Sequence, residues 1–323
     1  MSSLRTSAFV FFSLIGTLLN SEVTSAQQKT APPAEKQKAP ADKSKGIEQV
    51  LQLSGWPIHM TYFESPAGKE SPVVILLTST EGADKKDARN RQIWQPTALI
   101  LQKSGFAVVT VDLRKHGDSV LPAGEGKESS TKMGADDYTM MAAGDLEAVK
   151  AFLMEEHTAE RLNIAKLGIV SMGSSAMVAA AFAVADWDKK PYPDGPTPAT
   201  STPRGQDVKA LIAYSPNTSV KGINSTSILK AIKPLLIAVH VIASKDNKTD
   251  AKNAEKYFKA VDLKDETYKE FRKFTPVPGE IRSERFLEGK FAEATNKDIA
   301  DFLTKNLKDM QIPWISRKDR RLD

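Results

Sequence analysis

The residues that draw attention first are Ser171-Met172-Gly173-Ser174-Ser175. They stand between the apolar run Leu167-Gly168-Ile169-Val170 and an alanine-rich stretch reaching Asp186. A serine hydroxyl in a tight strand-to-helix turn can attack a carbonyl carbon, provided that a neighbouring imidazole takes its proton. The chain has four histidines, His59, His116, His157 and His240, and none follows His240. Acids that could orient a base come later: Asp246, with Asp250 as a nearby alternative. Cysteine is absent, which excludes thiolate nucleophiles, disulfides and zinc–cysteine sites. No Walker motif, His-x-His or Glu-x-x-His metal spacing, or dinucleotide fingerprint is present, so neither a metal nor a cofactor is expected.

The elements that must position these residues follow from periodicity. Gln49–Leu53 and Ile58–Phe63 read as strands on either side of Ser54-Gly55-Trp56-Pro57, an antiparallel hairpin. Pro72–Leu77, Phe106–Val111, Leu167–Val170, Ala210–Tyr214 and Leu235–Ile242 are apolar runs suited to strands buried on both faces. Helical spacing covers Arg89–Lys103, Tyr138–His157, Ser174–Asp186, Asn247–Val261 and Ala292–Leu307, and Lys269–Phe274 reads as a last strand. Strands alternating with helices predict an α/β fold around a mostly parallel sheet. Residues 187–208, rich in Pro, Thr and Asp, interrupt the alternation as a loop insertion, either a cap-like excursion or a disordered one.

The ends differ from the body. A single Arg5 precedes the apolar run Ala8–Leu19, and Thr24-Ser25-Ala26 offers a cleavage site, so residues 1–26 are expected to be a signal peptide cleaved near Ala26. Export to the periplasm or beyond follows, and a run this short is not expected to span a membrane. Residues 27–46 read as a flexible Pro/Ala/Lys linker, residues 47–310 as the domain, and residues 311–323 as a basic, solvated tail. The linker holds five lysines against two acids. Residues 317–323 hold four cations against two acids, so most of the formal charge of +5 sits at the ends. A nucleic-acid-binding domain would carry its charge on the folded part; none is expected here.

Together these features resemble the α/β-hydrolase superfamily, over about Ile47 to Leu307. Asp112-Leu113-Arg114-Lys115-His116-Gly117-Asp118-Ser119 is similar to its D-x-R-x-H-G-x-S turn, which the resemblance makes structural rather than catalytic. The segment around Ser171 is similar to the G-x-S-x-G nucleophile elbow, in two possible threadings. Keeping strand and helix lengths places Gly173 at the nucleophile position. Matching Ser-Met-Gly instead makes Ser171 the nucleophile and puts Ile169 where the first glycine belongs. Pro234 to Asp246 resembles the strand and turn that carry the triad acid, which makes Asp246 the candidate. The loop Thr78-Ser79-Thr80, with the amide of Ser174, falls where the family builds its oxyanion hole, and Glu81 beside it would oppose an anion there.

The resemblance also says where a catalytic histidine should lie, before the last helix. Ser283 to Phe291 contains none. The expectation is therefore an exported, catalytically degenerate α/β-hydrolase-type protein that binds a small molecule or a protein partner. An active serine esterase using Ser171 and Asp246 is the alternative. In a third reading the basic termini of a cell-envelope protein bind anionic polymers.

Overall fold

The computed structural model describes residues 45–80, 90–121, 133–265, 268–269 and 271–322, and residues from Ala41 onward form one compact unit. Residues 1–26, expected as a signal peptide, and nearly all of the expected linker 27–46 lie outside the described residues.

The chain opens with β1 (Ile47–Leu53) and β2 (Trp56–Phe63), paired antiparallel in full register from Ile47 opposite Tyr62 to Leu53 opposite Trp56. The turn is only Ser54 and Gly55, both at positive φ (50° and 83°), the geometry of the two-residue hairpin turn. Trp56 and Pro57, expected from sequence in the turn, therefore belong to β2. Then come β3 (Val73–Leu77), α1 (Gln95–Lys103) and β4 (Ala107–Val111). After these, α2 (Ala135–Met140) and α3 (Leu146–Thr158) are joined by a π-helical turn over Met141–Asp145. They lead to β5 (Leu167–Met172), α4 (Ser175–Asp188) and β6 (Val208–Tyr214). The rest is α5 (Ser225–Ile232), β7 (Ala238–Ser244), α6 (Lys248–Val261), β8 (Arg272–Val277) and α7 (Ala292–Leu303).

The strands form a single eight-stranded sheet in the order β1-β2-β4-β3-β5-β6-β7-β8. It is antiparallel at β1, β2 and β4 and parallel from β4 to β8. Both faces of its middle are buried, and that explains the uninterrupted apolar runs. Along β3, Val73, Ile75 and Leu77 enter one core with Leu146, Val149 and Leu153 of α3 and Met177 of α4. Val74 and Leu76 enter the other, with Ala98 and Leu101 of α1 and Ile299, Phe302 and Leu303 of α7. Each such large side chain contributes about 1.5–3 kcal/mol through burial.

Two expectations about the periphery are corrected. The tail, though mostly exposed, is anchored to the domain. Trp314 Nε1 donates to the His157 carbonyl at 3.1 Å, Asn163 Nδ2 donates to the Ile312 carbonyl at 3.0 Å, and Arg317 is buried in an ion pair with Asp207. These partners draw the tail onto the end of α3, and His157 is consequently buried rather than at a surface helix end. The second correction concerns residues 187–208, which are ordered and not a cap over the elbow. Tyr192 N donates to the Thr202 carbonyl, and Asp186 Oδ2 accepts from the amides of Asp207 and Val208. The segment joins the end of α4 to the start of β6. It therefore lies at the N-terminal edge of the parallel strands, across the sheet from the turn after β5.

The Asp112–Ser119 turn is a structural knot. Asp112 pairs with Arg91 at 2.6 Å and Arg114 with Asp145 at 2.6 Å, all four residues being buried. Ser119 Oγ donates to the Asp112 carbonyl and accepts from the His59 amide, tying the turn to β2. Gly117, at φ +51°, leaves the Asp112 carboxylate room that a Cβ would fill, since its oxygen would stand 2.2 Å away. His116 serves this knot, its Nδ1 bonded to the Arg114 carbonyl at 2.9 Å.

Candidate functional site

Loops after parallel strands gather at the strands' C-terminal edge, where open α/β sheets place their sites. Here those loops carry residues 78–80 after β3, 173–174 after β5, 215–219 after β6, 245–247 after β7 and 278–287 after β8.

The β5 strand continues two residues further than its apolar run suggests, through Ser171 and Met172. Ser171 is paired in register with Leu77 on one side and Ala213 on the other. It is 2% exposed, and its Oγ donates to the Ile212 carbonyl at 3.0 Å. The sharp turn falls instead at Gly173, with φ +57°, a left-handed conformation open to glycine at no steric cost. Gly173 N donates to the Tyr214 carbonyl and its carbonyl accepts from Asn217 N, both at 3.0 Å. Ser174 and Ser175 are buried as well. Ser174 Oγ accepts from Asn217 Nδ2 at 3.1 Å, and Ser175 Oγ donates to the Met172 carbonyl at 2.8 Å.

Thr78, Ser79 and Thr80 are buried behind this turn, whereas Glu81 lies outside the described residues. The Thr80 carbonyl accepts from Tyr138 Oη at 2.8 Å. The Ser79 amide, a candidate oxyanion donor, is already engaged: it donates to Glu284 Oε1 at 2.7 Å. Glu284 comes from the loop after β8, where the resemblance places a catalytic histidine.

That loop contains no imidazole, and two more of its polar residues are also engaged. Arg282 Nε stands 2.9 Å from Oδ1 of the buried Asp250, and the Ser283 amide donates to Ser215 Oγ at 3.1 Å. Asp246 is exposed and structural in its contacts, its Oδ2 accepting from the Gly279 amide at 2.6 Å. Asn247 caps α6 by accepting from the Asp250 amide. Ser171 and Asp246 thus each bond to backbone, Ser171 to Ile212 and Asp246 to Gly279, and share no partner in these contacts.

Three of the four histidines, His116, His157 and His240, are buried. Burial lowers the pKa of His240 to about 3, with the Lys273 cation adding to the effect. Its Nε2 is bonded to Thr275 Oγ1 at 2.9 Å, and the Asp298 carboxylate is 3.4 Å from its Nδ1. Burial likewise lowers the pKa of His157, whose ring nitrogens face the carbonyls of Leu162 and Ile315. His59 lies in β2 opposite Val50. No group of acids and histidines suited to a metal occurs among the described residues.

Sequence reasoning missed Asn217, Arg282 and Glu284. The stretch around Ser283 lacks histidine, and its alternating Arg282 and Glu284 are the signal that could have found two of the three.

No protein-family model and no curated protein sequence matches the chain. Solved structures do. A dienelactone hydrolase from Anabaena variabilis is 12% identical at a TM-score of 0.52, covering 81% of this chain and 99% of its own. A putative α/β hydrolase from Agrobacterium tumefaciens is 14% identical at 0.52, covering 83% and 99%. Est1E of Butyrivibrio proteoclasticus, solved with ferulic acid bound, is 11% identical at 0.52, covering 80% and 98%. Identities this low speak to architecture, and with the mostly parallel sheet, its antiparallel start and the turn after β5 they lead to one conclusion: the chain has the α/β-hydrolase fold.

Proposed function

We propose that this is an α/β-hydrolase-fold protein that has lost ester hydrolysis and uses the C-terminal edge of its sheet to bind a ligand or partner. One observation carries the reading: the residue at φ +57° between β5 and α4 is Gly173. The fold gives that strained position to its nucleophile, and glycine has no side chain to offer. Ser171, two residues earlier, spends its hydroxyl on a strand carbonyl. The Glu284 carboxylate at the Ser79 amide adds a negative charge where a tetrahedral intermediate would develop its own, which opposes catalysis. Loss of a single triad member lowers the rate by about 10⁴-fold or more, and further losses add little.

The test is turnover of p-nitrophenyl acetate together with labelling by a fluorophosphonate. Neither is expected to exceed a heat-denatured control. Enzyme-like turnover that disappears in Ser171→Ala would overturn the reading in favour of an active serine esterase.

We also propose that residues 1–26 direct export. The supporting pattern is the apolar run Ala8–Leu19 followed by small residues before Gln27. Mass spectrometry of the protein from an expressing bacterium should find a chain beginning at Gln27 outside the cytoplasm. A full-length chain confined to the cytoplasm would refute export.

A further inference from the structure

Beside the elbow runs a groove of about 960 Å³ between residues 217–219 and α6. Asn217 belongs to both places, since it holds Gly173 and Ser174 on one side and lines the groove on the other. The two walls differ. One is uncharged, formed by Asn217, Thr218 and Ser219, and is fixed by hydrogen bonds: Asn217 Oδ1 accepts from the Ser219 amide at 2.9 Å, and Thr218 Oγ1 reaches Asn253 Oδ1 at 3.3 Å. The other is cationic. Lys248, Lys252 and Lys256 recur every four residues and so line up on one face of α6, spanning about 12 Å. Among the described residues these three have no acidic partner, whereas Lys259 pairs with Glu255 at 3.0 Å.

Every lining residue is Asn, Thr, Ser, Lys or Glu. There is no aromatic ring on which a nucleobase could stack and no apolar pocket to seat the anchor of a protein partner. What remains is a row of cations facing amide and hydroxyl groups, which matches a polymer bearing regular negative charges and many hydroxyls. We propose that this groove binds an acidic polysaccharide along α6. The inference rests on the binding reading above and gives it a ligand class. It also moves the expected polyanion contact from the basic termini to α6.

The experiment uses the full folded chain and a heparin hexasaccharide as probe, at about 0.15 M salt, where interactions between distant exposed charges are screened. Binding is expected to weaken as salt rises. The triple variant Lys248→Gln/Lys252→Gln/Lys256→Gln should lose about tenfold or more in affinity. A control removing three exposed lysines elsewhere, Lys103→Gln/Lys190→Gln/Lys290→Gln, should change it less than about twofold. A neutral dextran oligomer should not bind. Equal losses in both triples, no binding by the wild type, or tighter binding of oligothymidylate than of the hexasaccharide would each overturn the proposal. Ester turnover measured on the same samples separates the two readings: turnover lost in Ser171→Ala overturns the loss of catalysis, while absent turnover with absent binding overturns the groove alone.

Discussion

The Glu284 carboxylate accepts the Ser79 backbone amide at 2.7 Å, across 205 residues of sequence. This bond fastens the loop after β8 to the loop after β3 and occupies the Ser79 amide. Glu284→Ala leaves that buried N–H without its acceptor and is expected to destabilise the fold by about 1–3 kcal/mol in urea unfolding. Glu284→Gln keeps an acceptor oxygen and should lose less. A neutral effect of both would mean that the bond contributes nothing in solution.

Restoring a hydroxyl at the elbow should not restore chemistry. Gly173→Ser must adopt a left-handed conformation, at about 1–2 kcal/mol, and still finds no imidazole to take its proton. The expected result is a lower melting temperature with no fluorophosphonate labelling. Labelling of Gly173→Ser would show that a base does reach the turn after β5.

Arg317 neutralises a buried cluster. Its guanidinium pairs with Asp207, which Lys150 also contacts at 2.7 Å, and Lys150 pairs in turn with Asp186. Burial pushes the Asp207 carboxyl above its usual range, against the pull of Lys150 and Arg317. Arg317→Ala should therefore destabilise the protein by about 3–5 kcal/mol, as expected for a broken buried pair. Equilibrium denaturation measures this, with Lys318→Ala as the control: Lys318 is exposed, and its loss should cost no more than about 0.5 kcal/mol. Equal effects of the two variants would show that the buried pair is not what holds the tail.

Acid should loosen the fold through His240. Its pKa falls from 6.5 to about 3 on folding because burial disfavours the imidazolium. The unfolded chain therefore takes up the proton first, and the stability present above pH 6.5 is lost as pH falls toward 3, approaching about 1.4 kcal/mol per pH unit. His240→Gln should flatten the slope between pH 6.5 and about 5 relative to wild type; identical slopes would show that the ring does not titrate in this way. Asp207, raised on folding, acts in the opposite sense, and so the comparison is made between the two proteins.

The sheet was legible because β3 to β7 are buried on both faces, leaving apolar runs that no other element of that length explains. The eight-residue α5 was not: it is an Asn224-capped helix whose buried apolar residues are only Leu229 and Ile232. At the elbow the apolar run ends at Val170, while backbone pairing carries β5 on to Met172, opposite Tyr214. That extension decides where Ser171 lies, and it depends on the neighbouring strand rather than on local residue types. Long-range partners were equally hidden. His157 looks like the end of a surface helix until Ile315, 158 residues later, meets its ring.

The docked tail bears on the order of folding. Asp207 emerges during synthesis 110 residues ahead of Arg317. Until Arg317 follows, a buried acid at the start of β6 has only Lys150, itself shared with Asp186, to offset it. Full compensation of that buried acid thus waits on a residue made 110 positions later, so the tail's ion pair acts as a latch on the finished fold.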